Sequence, residues 1–198
     1  MNSCFEAIYN ETIFILNSIT QTSKQYDTAV SACKDIFINK MKDYGSAWRV
    51  LRPSSITDQI FIKAQRIRSI EEKGTQMVED GVREEFIGII NYAVIALTQL
   101  ELGLQGNLHL SVDEGRKHFE KHIAYAKKLM ENKNHDYDEA WRQMRVSSIT
   151  DLIMMKILRI KQIEDNKGQT IISEGLEANY HDMINYAMFA LIRIEEKN

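Results

Sequence analysis

The sequence predicts an all-α protein, a pseudo-symmetric helical bundle built from two tandem copies of a three-helix unit. Three observations lead there. Apolar residues recur at spacings of three and four, while no stretch of any length alternates at period two. One proline, Pro53, interrupts a chain rich in Ile, Leu, Met, Glu and Lys, all of which are tolerated well in helices. The chain also repeats itself. Asp43-Tyr44-Gly45-Ser46-Ala47-Trp48-Arg49 returns as Asp136-Tyr137-Asp138-Glu139-Ala140-Trp141-Arg142, a shift of 93 (137 minus 44), and the 30 pairs from Asp43/Asp136 to Glu72/Asp165 include 17 identities, a duplication and not chance.

Residues 1–22 lie outside the repeat. Their apolar run Ile13-Phe14-Ile15-Leu16 is too short to span a membrane and lacks the basic start of a signal peptide, so they read as an extra helix packed on the duplicated core. The first copy takes residues 23–102, a linker with Gly103, Gly106 and Asn107 takes 103–112, and the second copy takes 113–198.

Within each copy, helix A is marked by Tyr26, Val30, Cys33 and Phe37, matched by Phe119, Ile123, Ala126 and Met130. A polar connector follows, Asp43 to Pro53 and Asp136 to Val146. Ser55-x-x-Asp58 and Ser148-x-x-Asp151 read as the starts of helix B, with the serine hydroxyl accepting from free backbone N–H groups. Gly74 and Gly168 read as its ends. Helix C carries Phe86, Ile90, Ala93 and Leu97, matched at an offset of 94 by Tyr180, Ile184, Ala187 and Leu191, so the second copy has gained one residue near Asn166-Lys167.

Each half alone is near the size at which a single core is marginal, and packing the halves together resolves this. A net charge of −3 and a pI near 6.0 exert no global pull on nucleic acid or an anionic membrane, so any anion site must be local. Cys4 and Cys33 have no counterparts in the second copy and read as ordinary thiols of a reducing compartment, with a cytoplasmic location as the default.

Several polar residues stand where apolar ones are expected. Lys63 projects from the stripe formed by Ile56, Ile60, Ile67 and Ile70, and Lys156 repeats this among Ile149, Ile153, Ile160 and Ile163. With Arg66 and Arg159 one turn on, these lysines suit either a phosphate clamp or internal ion pairs with acids on helix C. Lys63 and Arg66 stayed in the second copy while Ala64, Gln65, Arg68 and Ser69 changed, which favours the clamp.

Tyr44, Trp48, Tyr137 and Trp141 could frame a nucleobase or plug the connector onto the bundle. Asn91 and Asn185 sit in apolar surroundings on helix C, where they could also contact a base. Glu174, Glu177 and Asp182 could hold Mg²⁺ through carboxylate oxygens or be helix-start charges. His118 and His122 are four apart on a helix, a spacing that could bind metal, but with Gln25 and Ala29 at the matching positions they read as a charged surface.

The connector Lys42-Asp43-Tyr44-Gly45-x-x-Trp48, the Lys63-x-x-Arg66 helix and the Asn91-Tyr92 or Asp182-x-x-Asn185-Tyr186 helix together resemble the nucleotide-modification-associated domain family of the first type, long a domain of unknown function. Two copies would cover roughly Lys24 to Lys197. The resemblance implies nucleotide metabolism or modification, with a small-molecule nucleotide as the partner. A more distant likeness is to the all-α nucleoside triphosphate pyrophosphohydrolases of the MazG and dimeric dUTPase type, which implies a fold whose clustered acids bind Mg²⁺ for hydrolysis. The sequence departs from that pattern: helix B lacks Glu-Glu-x-x-Glu, its Glu71-Glu72 pair coming only at the end, and Gly88 replaces an acid on helix C. Three readings therefore stay open: a nucleotide-binding protein that could act as a Mg²⁺-dependent pyrophosphohydrolase, a noncatalytic interaction module, and a regulator acting on DNA, which the acidic pI weakens. Further homodimerisation is an open option.

Overall fold

An amphipathic helix buries its apolar stripe only against another element, and here the two copies serve each other. The computed structural model describes residues 2–75, 81–172 and 174–197, with side chains from residue 21 onward. Six helices follow in order: α1 (Asn2–Tyr44), α2 (Pro53–Lys73), α3 (Val82–Leu102), α4 (Val112–Tyr137), α5 (Val146–Asp165) and α6 (Leu176–Glu195). Short 3-10 turns, Ala47–Val50 and Ala140–Gln143, form the connectors, and no strand occurs among the described residues. The backbone of residues 2–22 runs into helix A as one 43-residue element.

Like packs with like across the two copies: α1 on α4, α2 on α5, α3 on α6. Each B helix also packs on its own C helix, and α1 reaches α6 as α4 reaches α3. The result is a pseudo-symmetric all-α bundle with one shared core. Ile56, Ile60 and Ile67 of α2 and Ile149, Ile153 and Ile160 of α5 are fully buried, as the stripe predicts. A hydroxyl bond crosses the copies as well, 2.8 Å between Thr57 Oγ1 and Tyr180 Oη. The central α3 is long and apolar enough to cross a membrane, but most of it is buried inside the bundle.

The helix ends differ in detail from the sequence reading. α2 and α5 begin at Pro53 and Val146, after Arg52 and Arg145, and neither N-cap uses a side chain; Ser55 and Ser148 lie inside the first turn. Pro53 explains the early start, since its fixed φ and missing N–H suit the first helical position. Gly74 does end α2, at φ 65°, where a side chain would be strained. In the second copy the extra residue moves the stop: α5 is capped by Asn166, and Gly168 sits beyond it with its N–H donating to Ile163 O at 2.8 Å.

Candidate functional site

The first copy encloses a cavity of about 560 Å³ between the end of α1, its connector, α2 and α3. Tyr44, Trp48, Lys63 and Asn91, all singled out from the sequence, line it together with Lys40, Glu84, Glu85, Gly88 and Tyr92. Lys63 reaches this wall because Gly88 has no side chain: a Cβ there would lie 2.5 Å from Lys63 Cε and 2.9 Å from Nζ. Its Nζ donates to Glu85 Oε2 at 3.2 Å and sits 5.9 Å above the Tyr92 ring. Arg66 pairs with the other Glu85 oxygen, so the ion-pair alternative holds in this structure for both cations. Glu84 is engaged with the backbone N–H of Gly81 at 3.0 Å, closing the start of α3. Lys40, exposed at the cavity, has no ion-pair partner among the described residues.

The second copy builds the same place differently. Asp182 stands where Gly88 stands, and both lysines converge on it: Lys156 Nζ donates to Oδ2 at 2.6 Å and Lys133 Nζ to Oδ1 at 2.8 Å. Lys133 is the counterpart of Lys40, as Lys156 is of Lys63. Burial alone would raise the Asp182 carboxyl, but the hydrogen bonds from Lys133 and Lys156 outweigh it and hold it below the usual aspartate range. Glu85 is replaced at its equivalent by Asn179, which is fully buried and donates to Gly175 O at 2.8 Å, so Arg159 meets no carboxylate there.

The aromatic residues also divide. Trp141 lies flat on Phe189, ring centroids 4.3 Å apart, and its Nε1 donates to Asn134 Oδ1 at 3.1 Å. It is a plug. Trp48 has Ile95 and Met41 at the equivalent positions, and its Nε1 is buried with no hydrogen-bond partner. Asn91 and Asn185 both donate to helix A carbonyls, Cys33 O at 3.1 Å and Ala126 O at 2.9 Å. Asn185 Oδ1 accepts from Tyr26 Oη at 2.9 Å, whereas Asn91 Oδ1 is buried without a partner, Phe119 having replaced that tyrosine. Tyr44 and Tyr137 are exposed.

Of the acids considered for Mg²⁺, Asp182 lies among lysines, and Glu174 and Glu177 are exposed before and at the start of α6. The sequence reading missed Lys40 and Lys133, although Asn39-Lys40 and Asn132-Lys133 are shared just ahead of the most similar stretch. It also missed Arg49 and Arg142, shared by both copies. Arg49 is 1% exposed and ties the connector to the linker through Gly103 O at 2.9 Å and Asn107 O at 3.0 Å.

Fold and site define a tandem-duplicated all-α protein in which one copy keeps a lysine-bearing cavity and the other fills the equivalent place with its own carboxylate. A family model described as nucleotide modification associated domain 1 matches residues 40–100 and again residues 133–194. The chain belongs to that family, with two tandem copies of its domain, and the family description gives it a nucleotide-related role. No curated protein and no solved structure matches the chain.

Proposed function

We propose that the first-copy cavity binds a small-molecule nucleotide, with its phosphate between Lys40 and Lys63 and its base framed by Tyr44 and Trp48. The observation that carries this is Asp182. In the second copy two lysines close on one carboxylate; in the first their counterparts border a cavity, and Gly88 supplies no charge. An incoming anion would take the part that Asp182 plays for Lys133 and Lys156. Trp48 and Asn91 line the cavity, and each holds a buried polar atom without a partner, Nε1 and Oδ1, beside it. The volume falls in the usual range for ligand sites, roughly 300–1,000 Å³.

Binding is better supported than Mg²⁺-dependent pyrophosphate hydrolysis. The carboxylates on the wall are Glu84 and Glu85, and both are already engaged, with the Gly81 N–H and with Lys63 and Arg66. A hydrolase would have to release them to hold the ion. The test is thermal unfolding against nucleoside mono-, di- and triphosphates, each with and without Mg²⁺. A bound ligand at about 100 times its Kd adds roughly 2.7 kcal/mol of stability. A rise without metal that is lost in Lys63→Ala supports the binding reading. A rise only with Mg²⁺ and triphosphate favours the hydrolase, and a flat panel favours a noncatalytic interaction module.

A further inference from the structure

We propose that Glu101, His118 and His122 form a site for a zinc-class divalent cation that bridges the end of α3 to α4. The two histidines are one turn apart on α4, and the linker folds the chain back so that Glu101 comes to face them. One oxygen serves both: Glu101 Oε2 lies 3.4 Å from His118 Nδ1 and 3.4 Å from His122 Nε2. That is the separation a tetrahedral ion imposes on its ligands, since metal–ligand bonds of about 2.1 Å give ligand–ligand edges of about 3.4 Å. All three ligand atoms lie within 4.8 Å of one another.

The local environment supports occupation. His122 is buried, and its Nε2 has no properly aligned hydrogen bond despite the nearby carboxylate. The other oxygen, Glu101 Oε1, accepts from Lys121 Nζ at 2.5 Å, which fixes the carboxylate and leaves Oε2 facing the imidazoles. His118 is partly exposed, giving an ion and a fourth, water ligand access from solvent. Two imidazole nitrogens and one carboxylate oxygen suit zinc and its neighbours rather than Mg²⁺ or Ca²⁺, which prefer all-oxygen shells.

The duplication supplies an internal control. The first-copy counterparts of the histidines are Gln25 and Ala29, and the counterpart of Glu101 is Glu195, which pairs instead with Arg83 at 3.2 Å. The bundle thus holds together at the equivalent place without histidines, so the two imidazoles are an addition of one side to a glutamate both sides share, and not a requirement of the fold.

The experiment is calorimetric titration of the chelator-treated full chain with Zn²⁺, alongside His118→Gln and Glu101→Gln. One ion should bind per chain, and either variant should weaken it by more than the roughly 100-fold that loss of an outer-shell partner can cost. Melting of both variants in chelator should match the unsubstituted chain, separating lost ligation from lost fold. The proposal is overturned if the unsubstituted chain takes up no Zn²⁺, or if the ion binds equally well in both variants.

Discussion

Lys63 lies along Gly88, so closely that a Cβ on the glycine would fall 2.5 Å from the lysine Cε, while at the duplicated positions Lys156 donates 2.6 Å to Asp182. One position on helix C therefore decides whether a carboxylate gathers both lysines of a copy, as Asp182 does, or leaves a cavity beside them, with Lys63 turned to Glu85. Gly88→Asp combined with Glu85→Asn should convert the first copy to the arrangement of the second, where Asn179 stands in place of Glu85. The clash is with the far end of a flexible side chain, which can swing onto the new acid. We expect the variant to fold with undiminished stability and to lose nucleotide binding; titration of ligand into a variant that still binds as tightly would refute the role given to Lys63 and Lys40.

The two lysines should differ in stability cost. Lys156 and Asp182 have side chains 8% and 12% exposed, so Lys156→Ala leaves a largely buried acid with only the more exposed Lys133 and should cost about 1.5–3 kcal/mol. Lys63 is 25% exposed and leaves Glu85 with Arg66, so Lys63→Ala should cost on the order of 1 kcal/mol or less. Urea unfolding of both variants, compared at equal slope, measures the difference.

Acid should weaken the second copy through Asp182. Its carboxyl is held below the usual value in the folded chain, so the unfolded state binds the proton more readily, and the contribution is complete above the unfolded pKa of about 4. It should disappear as pH falls from there through the folded value. Unfolding free energies measured across that window should fall less steeply in Asp182→Asn than in the unsubstituted protein.

Among the described residues, Asn134 is the only hydrogen-bond partner of Trp141 Nε1. Asn134→Ala should leave that donor buried and unsatisfied at a cost of about 1–3 kcal/mol, seen as a lower thermal midpoint. Trp48 already lacks this bond, so Met41→Ala in the first copy should leave its hydrogen bonding unchanged and act only through lost packing.

Burial pushes the Cys33 thiol up to about 12, against a smaller opposing pull from Arg83. A thiol so protected is unreactive, because the thiolate is the nucleophile. Alkylation of Cys33 should therefore follow global unfolding, and mass spectrometry of tryptic peptides after labelling in rising urea should track the unfolding curve. Rapid labelling in native buffer would contradict the packing of α1.

The helices, the duplication and the buried stripes are legible along the chain, because apolar period and identity at a fixed offset are local properties. The sequence also nominated Tyr44, Trp48, Lys63 and Asn91, which the fold gathers around one cavity. Helix packing alone set where Asp182 closes on its lysines, where a cavity lies beside Lys63, and which side chains pair. Asp182 looked like a metal ligand beside Glu174 and Glu177, yet its neighbours come from α4 and α5, through Lys133 and Lys156. His118 and His122 looked like surface charge until the linker returned Glu101 to them. Contacts of this kind join residues 17 to 49 positions apart on different helices, and their energy depends on how the helices are packed rather than on any spacing along one of them.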